Sequence, residues 1–339
     1  MKKIGHTNPS SLKKLYSIPF SHNEAFQSVS KDIRYVACGG WDRRVKIKDH
    51  KQKKLVCFYK HEKPVMCIRF SKNGRFVASG GQDNQVIVCN IDKKDLFYYY
   101  HKMTITKVFL SYNGDFVLSG DHLGTVVLGN IKKKNAHFFY CHKRGKSIWA
   151  LTFSSDFSMF ASGGRDKQVV ICDTIRKSKI CSYTHDDYVK TVAFSKDCNF
   201  VVSGGFDKKV IVWDIKKETK VCSYSHSNYV TCAKFIDDTD IVISCSKNGE
   251  FILYRIPEKA KIAIYKTSSR FDKFDRFFFS KDGEKIISEA DDKKVNIYKM
   301  PMKIHVLKKF FYSEKSMKAK LKKIRRENKL TNIVIKTVT

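Results

Sequence analysis

An all-β fold of seven four-stranded antiparallel sheets, followed by a short basic helix, is what this sequence of 339 residues predicts. Three observations predict it. His22, His61, His101, His142, His185 and His226 recur at intervals of 39 to 43 residues, and Thr267 falls at the next place in the series. Each is followed by four short runs rich in Val, Ile, Phe and Tyr and bounded by Asp, Asn, Gly and Lys, which is how strands of an antiparallel meander read. No stretch before residue 313 has the apolar spacing of an amphipathic helix. Repeats of about 40 residues each bury their apolar surface only by stacking unit on unit.

Composition sets the outer bounds. Hydrophobic residues make up 42% of the chain and aromatics 13%, with 5 Pro and 17 Gly, which supplies a core and excludes a disordered or collagen-like chain. No apolar run approaches the roughly 18 residues that cross a bilayer, and the opening MKKIGHTNPSSLKKLYSIPF lacks the apolar stretch of a signal peptide. A cytoplasmic or nuclear protein is expected. The eleven cysteines include no Cys-x-x-Cys pair, and Cys57, Cys181 and Cys222 recur at one place in the repeat while Cys89 and Cys172 recur at another. Residues placed in that way are buried small hydrophobes, so reduced thiols are expected rather than disulfides or metal ligands.

The units begin near residues 25, 63, 103, 146, 188, 229 and 271. In the first, Gly39 and Gly40 close the second run and Cys38 stands where later units have Ser. The second carries His61, Ser79, the pair Gly80-Gly81 and Asp83; the third has His101 but Leu123 in place of the Asp. The fourth carries His142, Ser162, Gly163-Gly164 and Asp166. The fifth, residues 185 to 224, is the fullest, with strands expected around Val189 to Phe194, Phe200 to Ser203, Val210 to Ile215 and Lys220 to Tyr224. The sixth has Asn248 at the Asp place. The double glycines are expected to supply a permissive backbone at a tight connection.

These residues resemble the WD-repeat (WD40) β-propeller family over about 300 residues, and the fifth unit holds the naming dipeptide Trp213-Asp214. The resemblance implies a seven-bladed β-propeller spanning residues 13–312, between an N-terminal extension (1–12) and a basic tail (313–339). It implies a buried hydrogen-bond network of His185, Ser203, Asp207 and Trp213. It also implies that an N-terminal strand, here within residues 13–20, completes the last blade, leaving segment 303–312 turned outward or displaced.

The same register argues against catalysis. Six of the eleven histidines and the repeated Ser and Asp residues are claimed by the repeat, so a Ser/His/Asp triad read from them is an artefact; no catalytic, cofactor-binding or metal-ligating residue is assigned. Side chains that the repeat leaves unemployed remain. In the family, the residue before the turn Asp and those at the start of the first strand face the narrow end of the ring, where partners dock. Here they are Trp41, Met66, Gln82, Trp149, Arg165, Tyr188, Phe206 and Tyr229, types enriched in binding hot spots. The resemblance therefore implies a non-catalytic scaffold or adaptor holding protein partners on that face.

Charge supplies the alternative. The formal net charge is +33, which attracts polyanions, although only 13 of the 66 basic residues are Arg, the type suited to bidentate phosphate contacts. The tail concentrates the charge: nine basic residues stand against two acidic ones in residues 313–339, and Met317, Leu321 and Ile324 give residues 316–328 the spacing of a basic amphipathic helix. Lys318, Lys320, Lys322, Lys323, Arg325 and Arg326 are its candidate contacts to RNA or another polyanion, as in a ribosome-assembly or RNA-processing subunit. A membrane role ranks low, because Arg43-Arg44 and Arg325-Arg326 lack the context of the paired-arginine motif in phosphoinositide-binding propellers.

Overall fold

The computed structural model describes residues 26–266, apart from 31, 33, 140, 141, 237 and 238, together with the strands Ser10–Ser11, Lys14–Pro19, Phe277–Phe279, Lys285–Ala290 and Lys294–Lys299. The described residues hold 29 strands and no helix, and thus no helix long and apolar enough to cross a membrane. The expected tail helix and segment 303–312 lie outside the described residues.

The strands form seven sheets, six of four strands and one of five. The fifth shows the pattern: Val189–Phe194, Phe200–Gly205, Lys209–Asp214 and Thr219–Ser225, each antiparallel to the next. Sheets one to six open on Phe26–Val29, Val65–Phe70, Ile105–Leu110, Ile148–Phe153, Val189–Phe194 and Val230–Phe235. In the sixth, Ser10–Ser11 adds a fifth strand, parallel to Ala260–Lys266. The seventh combines both ends of the chain: Lys14–Pro19 pairs antiparallel with Lys294–Lys299, which continues to Lys285–Ala290 and Phe277–Phe279. The N-terminal strand thus completes the last sheet.

Core residues lie between sheets rather than in one central mass. Ala150, Val169, Ile171 and Tyr183 of sheet four pack with Val189, Val192, Val201 and Ile211 of sheet five, and similar layers join sheets one to two, two to three, three to four and five to six. A third strand is covered on both faces, so Val86–Cys89 and Val169–Cys172 are buried without alternation. The outer strand has less cover, and Lys54–Lys60 is largely exposed.

The double glycines work by size, not by backbone freedom. None of Gly80, Gly81, Gly163, Gly164, Gly204 and Gly205 has a left-handed φ. The first of each pair faces the β-branched residue that opens the next sheet: a Cβ on Gly80, Gly163 or Gly204 would press on Ile105, Val189 or Val230 at 2.3 to 2.5 Å. The second admits main chain or the turn: a Cβ on Gly205 would strike the Tyr188 carbonyl, and one on Gly81 would strike Asp83.

A second regularity concerns the first strand. Val189 pairs with Gly205 and Thr191 with Gly204, so Lys190 is left over as a β-bulge. The same irregularity falls at Met66, Thr106, Trp149 and Thr231 in sheets two, three, four and six. A bulge re-aims its side chain out of the strand's alternation; sheets two to six therefore each present one such residue.

Candidate functional site

Two polar or aromatic systems recur in register with the sheets, and they have opposite fates. The first is a bridge between sheets. Tyr183, at the outer strand of sheet four, donates to Ser203 Oγ in the second strand of sheet five at 2.9 Å. Ser203 Oγ meets His185 Nε2 at 2.7 Å, and His185 Nδ1 meets Asp207 Oδ2 at 2.8 Å. A carboxylate only accepts, so Nδ1 carries the proton; in the neutral ring Nε2 then accepts from the serine, whose oxygen accepts from the tyrosine. Each of these four side chains is thus hydrogen-bonded to the next.

Trp213 is not a member, which corrects the sequence-based assignment. Its indole stacks on the Tyr183 ring at 4.5 Å and 13°, while the phenol supplies the hydroxyl that reaches Ser203. The tyrosine precedes the histidine by two residues in each such unit: Tyr59 bonds Ser79 beside His61, Tyr99 bonds Ser119 beside His101, and Tyr224 bonds Ser244 beside His226. His142 bonds Ser162 and Asp166 in the same way.

The units with no acid at the turn recruit one from another register. In the third, Asp121, two residues before Leu123, meets His101 Nδ1 at 3.1 Å. In the sixth, Glu250, two residues after Asn248, reaches back with its longer side chain to His226 Nδ1 at 2.9 Å. The hydrogen bond from His226, with help from the Ser227 amide, holds the Glu250 carboxyl down at about 2, against burial. Burial acts to raise Asp83, Asp166 and Asp207, but their histidines and nearby amides keep all three below the usual carboxylate value. Burial also lowers His226, against the pull of Glu250.

The Ser-His-acid geometry resembles a hydrolytic triad but cannot act as one. Ser79, Ser119, Ser162, Ser203 and Ser244 are all fully buried, and in four of them the oxygen also holds a tyrosine hydroxyl. A nucleophile needs access to substrate. Among the described residues no group of three or more His, Cys, Asp or Glu stands together as a metal site, and ten free cysteines, eight of them buried, form no disulfide.

The second system is partly open to solvent. Trp149 meets Tyr188 edge-on at 5.4 Å and Phe206 at 5.6 Å; Tyr188 and Phe206 are 5.9 Å apart; and Phe206 stacks on Tyr229 at 4.6 Å and 6°. Cations sit on these rings. Arg165 lies 5.3 Å from Tyr188 and 5.8 Å from Trp149, Lys190 lies 5.6 Å from Trp149, and Lys247 lies 5.0 Å from Tyr229. The four aromatic side chains are half-buried and Arg165 is exposed.

Three register places of the repeat build this cluster. The turn between second and third strands gives Arg165, Phe206 and Lys247 from sheets four, five and six. The residue before the first strand gives Tyr188 and Tyr229. The bulge gives Trp149 and Lys190. Thus Trp149, Arg165, Tyr188, Phe206 and Tyr229, singled out in the sequence, are brought together. Trp41, Met66 and Gln82 hold equivalent places in sheets one and two, and no ring contact joins them to the cluster among the described residues. Trp41 stands 69% exposed in its turn, while Met66 and Gln82 are half-buried. Sequence reasoning missed Lys190 and Lys247, although both stand in the register places of Trp149 and Arg165.

The family model described as WD domain, G-beta repeat matches residues 52–90, 133–173, 177–214 and 218–255. Each matched stretch runs from the outer strand of one sheet to the third strand of the next, and so holds one His–Ser–acid bridge; a fifth bridge, at His101, lies between the first two stretches. No curated protein matches the chain. The chain therefore carries WD40 repeats at four positions, repeats of a kind that generally scaffold protein–protein interactions.

Proposed function

We propose that the chain is a non-catalytic adaptor in which the seven sheets close as the blades of one ring over residues 13–312, and that a protein partner docks where Trp149, Arg165, Tyr188, Phe206 and Tyr229 meet. One observation carries the reading: four aromatic side chains from three sheets are packed together yet left half-exposed. A ring buried for stability alone would complete its burial, whereas Trp, Tyr and Arg held rigidly at a surface are what binding energy concentrates on. Trp41, Met66 and Gln82 extend the surface toward sheets one and two.

The test is affinity capture on the full chain, with bound proteins identified by mass spectrometry, beside Trp149→Ala and Tyr229→Ala variants of unchanged thermal midpoint. The reading expects a discrete partner whose recovery drops at least tenfold with either change. Recovery indifferent to both overturns it.

The charge of the tail supports a second contact. Nine basic residues against two acidic ones in residues 313–339 fit RNA or another polyanion, with Lys318, Lys320, Lys322, Lys323, Arg325 and Arg326 as the contacts. Removing residues 313–339 is expected to weaken RNA binding and flatten its salt dependence; an unchanged slope overturns this reading.

A further inference from the structure

The cluster around Trp149 specifies the chemistry of what it binds. We infer that its occupant is an acidic linear peptide segment of a protein partner, seated with a carboxylate on Arg165 and an apolar side chain against Trp149 and Phe206. This rests on the docking role proposed above and goes further by choosing the sign of the guest.

Three observations choose it. First, cations already stand against the rings: Arg165 serves Trp149 and Tyr188, Lys190 serves Trp149, and Lys247 serves Tyr229. A cationic guest, such as a lysine or arginine side chain seeking an aromatic cage, would meet occupied rings and like charge. Second, the acids of the same loops are committed. Asp166 and Asp207 bind His142 and His185, Asp186 pairs with Lys209, and Asp187 accepts from the Tyr188 amide. Among the described residues no carboxylate lies in ion-pair range of Arg165, whose five donors suit a bidentate carboxylate. Lys143, Arg144 and Lys146, exposed in the loop before Trp149, add to the positive field. Third, the rings pack on one another. Phe206 and Tyr229 stack, and Trp149 has Tyr188 and Phe206 against it. A nucleobase needs an open ring face for stacking, so a peptide fits better than RNA.

The probe is a random twelve-residue peptide library displayed on phage, selected on the immobilised full chain. Peptides that also bind Trp149→Ala are removed. That variant carries the same net charge, so acidic peptides held elsewhere on this basic protein are discarded. A parallel selection uses Arg165→Glu, a change at an exposed turn residue, and carries the test if Trp149→Ala does not fold. The surviving peptides are expected to be net negative with at least one apolar residue, and their affinity to fall at least tenfold on Arg165→Glu. Survivors of neutral or positive charge overturn the acidic guest and leave the docking surface standing. No cluster-dependent survivors overturn both. Binding of poly(U) that is lost in Trp149→Ala, without acidic peptides, overturns the inference in favour of nucleic acid.

Discussion

Tyr183 donates its hydroxyl proton to Ser203 across the boundary between sheets four and five, at 2.9 Å. The two residues belong to different sheets, so the bond is a cross-link rather than part of either ladder. Together with His185 and Asp207 it ties an outer strand, an inter-sheet loop, a second strand and a turn into one buried system. The fourfold recurrence of the tyrosine bond makes this a property of the fold, not of one unit.

Removing the shared oxygen is expected to cost more than removing either neighbour. Ser203→Ala leaves the Tyr183 hydroxyl and His185 Nε2 buried without a partner, at about 1–3 kcal/mol each. Tyr183→Phe removes one donor and leaves Ser203 bonded to His185, a loss of about 1 kcal/mol. Urea denaturation gives both values. A Ser203→Ala protein as stable as Tyr183→Phe contradicts the bridge.

Acid should loosen the protein in two stages. His226 is held below its ordinary 6.5 by burial, so the unfolded chain takes the proton first and stability begins to fall as pH drops below about 6.5. Glu250, held at about 2 against an ordinary 4.5, contributes stability that is fully present above 4.5 and is lost as pH falls toward 2. Asp83, Asp166 and Asp207, each below 3.8, act in the same direction. Denaturation midpoints measured from pH 7 to pH 3 should decline throughout, and Glu250→Gln should remove part of the decline below pH 4.5. A midpoint that is flat over this range refutes the assignment.

Gly204→Ala is expected to destabilise by about 1–3 kcal/mol through overpacking, because its Cβ would lie 2.5 Å from Val230 Cγ1. Pairing it with Val230→Ala should restore part of the loss, since the clash is with that side chain. Two single changes that simply add would show that the glycine is not there for Val230.

Removing residues 1–19 exposes the edge of Lys294–Lys299, which Lys14–Pro19 now covers. Unpaired edges invite other chains, so the shortened protein should aggregate or sediment as larger species. A monomer with an unchanged thermal midpoint argues that the pairing contributes nothing.

The strand order and the sheet boundaries were legible because alternation and a 40-residue period coincide; the expected strands of the fifth unit agree with the observed ones to within two residues. The bridge was only partly legible. Asp121 and Glu250 do the work of the turn acid from neighbouring positions, and a repeat template compares like positions only. Tyr183 was hidden because a tyrosine on an outer strand reads as ordinary alternation, and Trp213 took its role by family resemblance. The bulge at Trp149 and Lys190 left no local mark, since only the pairing partners reveal which residue is left over.

The ladder between Lys14–Pro19 and Lys294–Lys299 couples an early stage of chain synthesis to a much later one. Lys14–Pro19 leaves the ribosome with its partner strand about 280 residues away in sequence. Until then it is a loose, pairing-competent ribbon at risk of capture by other nascent chains. The seventh sheet is therefore the latch fastened after the other six.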